Sequence, residues 1–142
     1  MKTKNILTFL LLIFISFGYS QKKELRNANK FYDSGEYLSA LDLLETSKSL
    51  FDSSDDKIKS QVMLLYGKIY TSTEDFELAI KSFNNSRELG AKENDLNFEI
   101  NKLETAIITS AIADNESENF SDAAKKLKIV YDINPENNAL YL

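Results

Sequence analysis

Three stretches of the chain can be laid over one another: GEYLSALDLLETSKSL (35–50), EDFELAIKSFNNSREL (74–89) and ENFSDAAKKLKIVYDI (118–133). Each opens on polar turn residues and then an aromatic, Tyr37, Phe76 or Phe120. Alanine follows three residues later (Ala40, Ala79, Ala123) and a larger apolar residue four beyond that (Leu44, Phe83, Leu127). A last apolar residue stands six further on, at Leu50, Leu89 or Ile133. Such spacings keep one face of a helix apolar. This recurrence constrains the fold more than any single motif. A unit of this size cannot bury its apolar face alone and must stack on its neighbours.

A second helical pattern precedes each stretch. It runs through Leu25, Ala28 and Phe31, then Val62, Met63, Tyr66, Gly67 and Tyr70, then Leu96, Ile100, Leu103, Ile107 and Ala111. Within each pair the two patterns are separated by turn-forming residues, DSGE, STED and DNESEN. Gly35 suits a left-handed helix cap, and Gly90 suits the end of the second pair. The expected fold is all-α: six helices in three antiparallel hairpins, over about 21–54, 56–93 and 95–137. Ala28, Gly67 and Ala111 fall mid-helix and are expected to oppose Ala40, Ala79 and Ala123, so that the axes approach closely. A bulky group at such a site costs about 1–3 kcal/mol. In DSSDDK, Asp52, Asp55 and Asp56 lack the spacing and glycine of a calcium loop. Ser54 or Asp55 is instead expected to cap a helix starting near Asp56.

These residues resemble the tetratricopeptide repeat, whose pattern runs large–x2–Leu–Gly–x2–Tyr, Ala–x3–Phe and Pro. The second hairpin matches at Met63, Tyr66, Gly67, Tyr70, Ala79 and Phe83; the first matches at Ala28, Phe31, Ala40 and Leu44. The third matches at Ile107, Ala111, Ala123, Leu127 and Pro135, with Asp114 where an aromatic is expected. The aromatics recur at intervals of 39 and 44 residues, longer than the family's 34. The surplus falls at SSDDK and AKENDLNFEI, where it is expected to lengthen the next first helix. The resemblance covers nearly all of 21–142 and implies a helical-hairpin solenoid. It also makes NALYL (138–142) the start of a fourth hairpin, so the chain is expected to continue beyond Leu142.

Composition narrows the chemistry. The 142 residues include no Cys and no His, which removes disulfides, thiol nucleophiles and the commonest general base and metal ligand. The start of the chain reads as a secretory signal peptide over 1–20: Lys2 and Lys4, an apolar run from Ile6 to Phe17, then Gly18 and Ser20 before the cut. The run is shorter than the ~20 residues of a membrane-spanning helix. Its Lys/Asn-rich leader resembles those of Bacteroidetes-type bacteria, which implies a periplasmic or secreted protein. Without Lys2 and Lys4 there are 15 basic against 22 acidic side chains, a net charge of −7. Such a chain is a poor partner for nucleic acid or anionic membrane.

The resemblance implies a non-catalytic scaffold of the cell envelope, with no cofactor or metal, that binds a protein or peptide on the concave face lined by the first helices. By alignment that face draws on Lys22, Leu25, Asn29 and Tyr32, then Gln61, Leu64, Lys68 and Thr71, then Thr105, Ile108, Ile112 and Asn115. Leu25, Leu64, Ile108 and Ile112 either form an exposed apolar patch or pack between hairpins. Only Asn29 and Lys68 resemble the donors with which some family members clamp a terminal carboxylate, so no clamp is expected. The alternative reading is an N-terminal sensory or accessory region of a larger envelope protein. An enzyme would need paired carboxylates in a cleft, for instance among Glu74, Asp75, Glu116 and Glu118.

Overall fold

The structure is a computed structural model that describes residues 20–133. The proposed signal peptide, except Ser20, lies outside these residues, as do Pro135 and the 138–142 segment. Among the described residues the chain is all-α, with seven helices and no strand. They are α1 (20–33), α2 (Tyr37–Thr46), α3 (Lys48–Asp52), α4 (Asp56–Ser72), α5 (Phe76–Glu88), α6 (Glu93–Glu116) and α7 (Phe120–Ile133). None of them is long and apolar enough to cross a membrane.

Six helices were expected; the seventh arises because the segment 35–50 is broken. The Thr46 hydroxyl donates to the Asp42 carbonyl at 2.8 Å and to the Leu43 carbonyl at 3.2 Å. Ser47 then leaves helical geometry, at φ −92° and ψ 7°. Hydroxyls that bond back to their own helix compete with its ladder in this way. On the far side of α3, Asp55 caps α4 by accepting from the Ile58 amide at 2.8 Å, as its position in DSSDDK suggests. The AKENDLNFEI surplus does lengthen a first helix: α6 has 24 residues against 17 in α4.

The turns inside the three pairs share one geometry. The Glu36, Asp75 and Asn119 amides donate to the carbonyls of Phe31, Tyr70 and Asp114, at 2.9 Å or less. The residue before each has positive φ: Gly35 at 79°, Glu74 at 63° and Glu118 at 62°. This is the Schellman arrangement, which uses the last carbonyls of one helix and turns the chain into the next. Gly90, at φ 85°, ends α5 in the same way.

Two apolar clusters hold the helices together. One joins Leu25 and Ala28 of α1, Ala40 and Leu44 of α2, Phe51 of α3, and Val62, Leu65 and Ile69 of α4. The other joins Phe76, Ala79 and Phe83 of α5, Leu96, Leu103 and Ile107 of α6, and Val130 of α7. Tyr70 borders both.

The expected face-to-face pairing of small residues is corrected at Gly67. A methyl group there would meet three ring carbons of Phe83, the farthest at 2.8 Å. The glycine is a seat for a large ring rather than a partner for Ala79. A second correction falls on α7. Ala123 is buried there, but Phe120 and Leu127, expected on the buried face, are 61% and 38% exposed. The positions are apolar in sequence, but among the described residues no later helix lies over them.

Candidate functional site

The first helices of the pairs, α1, α4 and α6, are neighbours: α4 packs against α6, and a cleft of about 710 Å³ lies between α1 and α4. Six of the twelve residues expected on the binding face line this cleft: Lys22, Leu25, Asn29, Gln61, Leu64 and Lys68. Tyr32 sits at its edge, with the Lys68 ammonium 4.3 Å from its ring centroid. That is cation–π range. The Asn29 amide donates to the Leu25 carbonyl at 2.8 Å, so it is committed to its own helix. Thr71 likewise donates to the Gly67 carbonyl, at 2.8 Å.

The other aligned residues lie on α6 and outside that cleft. Thr105 and Asn115 are exposed, and the Thr105 hydroxyl is engaged by the Asn101 carbonyl at 2.9 Å. The four apolar residues do not form one open patch. Leu25 is buried in the first cluster, Leu64 and Ile108 are half-buried against the second, and Ile112 is exposed.

Two of the five lining residues that alignment missed are cations. Arg26 and Lys57 line it and are exposed, so four cations, Lys22, Arg26, Lys57 and Lys68, surround an apolar floor of Leu25, Leu64 and Leu65. The one acid there, Asp55, is occupied in capping α4. In a chain with net charge −5, this is a local reversal of sign. Arg26 follows Leu25 in sequence, and Lys57 stands in the first turn of α4, four residues before Gln61. Only the packing of α1 on α4 brings them together.

On the opposite side two further clefts are bordered by residues in matching registers. One, of about 690 Å³, is bordered by Leu44, Glu45 and Lys48 with Asn85, Glu88 and Leu89. The other, of about 660 Å³, is bordered by Phe83, Asn84 and Arg87 with Ile129, Asp132 and Ile133. The first triplets are offset by 39 residues and the second by 44, the intervals read from the aromatics. A hydroxyl at matching positions of α4 and α6 ties each to the pair before it, through a helix residue in one case and a turn residue in the other. Tyr66 donates to Glu45 at 2.7 Å, and Ser110 donates to Glu74 at 2.7 Å. Burial pushes the Tyr66 hydroxyl well above the usual tyrosine range, and the hydrogen bond to Glu45 raises it further.

Two of the four carboxylates named for an enzyme share a cavity, and two do not. Glu74 and Asp75 border a smaller cavity of about 450 Å³ with Asp114 and Lys126, while Glu116 and Glu118 are not among its lining. Lys126 neutralises Asp114 at 2.6 Å, Ser110 engages Glu74, and Thr73 donates to Asp75 at 2.8 Å. No family model matches the chain, nor does any curated protein or solved structure.

Proposed function

We propose that this chain is a tetratricopeptide-like α-solenoid, an exported and non-catalytic scaffold of the cell envelope. In this reading, the face of its first helices captures an extended, acidic segment of a protein partner. The repeat reading rests on the three like turns, the two clefts in matching registers and the adjacency of α1, α4 and α6. Stacked hairpins of this kind offer a long concave surface. Export rests on the sequence of residues 1–20 alone.

The observation that carries the partner's chemistry is the α1–α4 cleft. Four cations border an apolar floor, and the only carboxylate present is already bonded. Complementary charge steers encounter and selects partners, while buried apolar anchors hold them. A segment with acidic residues flanking one or two large apolar side chains fits both features. It does not require the terminal carboxylate of a clamp, since Asn29 is engaged elsewhere.

The test is capture from envelope extract on the immobilised chain, followed by titration of the identified partner. Reversal of the rim, Arg26→Glu with Lys57→Glu, is expected to weaken binding at least tenfold and flatten its salt dependence, with unchanged helical circular dichroism. Binding that ignores both the reversal and salt would remove the cleft from the account.

A further inference from the structure

The α1–α4 cleft differs at its two ends. The Gln21 side-chain amide donates to the Leu50 carbonyl at 3.2 Å, and the Ser54 hydroxyl, just before α4, donates to the same carbonyl at 3.3 Å. The first turns of α1 and α4 therefore lie together, and the contact of Lys68 with the Tyr32 ring joins their later turns. The two helices run side by side in one direction. Lys22 and Arg26 of α1 and Lys57 of α4 consequently share one end of the cleft, and all three are exposed. None of the three has an ion-pair partner among the described residues. Asp55, the acid beside them, already accepts the Ile58 amide.

The donors at the other end are already engaged. The Asn29 amide is held by the Leu25 carbonyl, and the Lys68 ammonium rests on the Tyr32 ring. Tyr32 is itself set against Tyr37 of α2, with ring centroids 5.6 Å apart. Lys68 is half-buried, unlike the three cations at the first end. This end therefore presents aromatic surface, the Lys68 stem and Leu64. An ammonium with one ring beneath it is attracted to the face of a second, an attraction that an aliphatic side chain lacks. Lys57 and Lys68 are eleven positions apart, about 16 Å along a helix axis. An extended chain covers that distance in about five residues.

We propose that the cleft reads a bipartite segment of its protein partner. A run of acidic residues lies at the end with Lys22, Arg26 and Lys57. About five residues away, one aromatic side chain lies against the Lys68 ammonium, which is then held between two rings. This polarity rests on the binding-face reading and narrows it, because the acids stand on one side of the anchor only. The exposed cations speed encounter through their charge. Lys68 and its ring select the anchor, since a half-buried charge already ordered by its neighbour loses little freedom when the segment arrives.

Calorimetric titration of the chain as purified from its host, at low and high salt, tests it with synthetic peptides. The block peptide acetyl-Glu-Glu-Glu-Ser-Ser-Phe-amide is expected to bind at least about fivefold tighter than an isomer whose glutamates are split across the Phe. It should bind about threefold tighter than its Leu analogue. Arg26→Ala should weaken binding and flatten its salt dependence. Lys68→Gln should abolish the preference for Phe over Leu and leave most of the salt dependence. Tyr32→Phe keeps the ring and should keep the preference. Equal binding of the block and split peptides, lost for both in Arg26→Glu, overturns the polarity and leaves the cleft as the binding site. A preference for Phe that survives Lys68→Gln overturns the aromatic end. A wild-type chain that binds neither peptide at millimolar concentration overturns the whole proposal. The binding face itself then falls only if capture of the envelope partner also ignores Arg26→Glu with Lys57→Glu.

Discussion

The second and third hairpins, α4–α5 and α6–α7, begin from matching patterns and close in different ways. In α4–α5 the Phe83 ring lies on Gly67, and two buried serines bind reciprocally. Ser86 donates to the Ser60 carbonyl at 2.8 Å, and Ser60 to the Ser86 carbonyl at 3.1 Å. In α6–α7 an ion pair, Asp114 with Lys126, sits where the earlier hairpins carry Phe31 or Tyr70. Leu127, the counterpart of Phe83, faces solvent. A register position therefore fixes which way a side chain points, and the next helix decides whether it is buried. The largest expected effect follows directly. Phe83→Ala should cost about 3–5 kcal/mol, and Leu127→Ala about 1 kcal/mol or less, in urea unfolding at low protein concentration. Similar costs at the two sites would mean that α7 is covered as α5 is.

Gly67→Ala sharpens the same contrast. Alanine gains roughly 1 kcal/mol of helix propensity over glycine. Here the added methyl would meet a ring that is itself 1% exposed and cannot swing clear. A net loss of about 1–3 kcal/mol is expected, because overfilling a close-packed seat outweighs propensity. The matching residue of the third hairpin is already alanine, at Ala111, so the seat belongs to α4–α5. A gain in stability from Gly67→Ala would show that the Phe83 ring yields.

Much of this was legible in the residues. The apolar periodicity located every helix pair, Gly35 and Gly90 marked two left-handed caps, and Asp55 marked a third boundary. Three things were not legible. Glu74 and Glu118 adopt positive φ without the glycine that usually signals it, because the turn geometry around them dictates it. The break at Ser47 depends on where the Thr46 hydroxyl points. The basic cleft joins Arg26 and Lys57 across 31 residues of chain, and a pattern read along one helix at a time cannot register that.

The two hydroxyl ties between hairpins offer a smaller test. Tyr66 donates to Glu45 from a buried ring, whereas Ser110 donates to Glu74 at the surface. Tyr66→Phe should cost about 1 kcal/mol at neutral pH, and Ser110→Ala less than about 0.5 kcal/mol. The pH dependence separates them further. Burial raises the folded-state pKa of Tyr66 above its unfolded value, so the protonated hydroxyl favours the fold. That contribution is complete below about pH 10 and is lost as pH climbs towards the raised folded value. Urea midpoints at neutral pH and near pH 11 should therefore fall less in Tyr66→Phe than in the parent, and equally in Ser110→Ala. An alkaline loss unchanged by Tyr66→Phe would move it to other groups, Tyr70 first, whose hydroxyl burial also raises.

The smallest effect tests the turns that the hairpins share. Gly35 and Glu118 hold the same place and nearly the same backbone, at φ 79° and 62°, one without a side chain and one with. A side chain there costs about 1–2 kcal/mol in the left-handed region, while glycine gives up about 0.5–1 kcal/mol of chain entropy on folding. Glu118→Gly should therefore stabilise by about 0.5 kcal/mol. Gly35→Ala should destabilise by a similar amount or somewhat more, and no atom lies within 4 Å to add a clash. Glu74 is the poorer probe, because its carboxylate also receives the Ser110 hydroxyl. If both substitutions at this place destabilise, the Glu118 side chain is stabilising the third turn by a contact of its own, and the three turns share a shape without sharing an energetics.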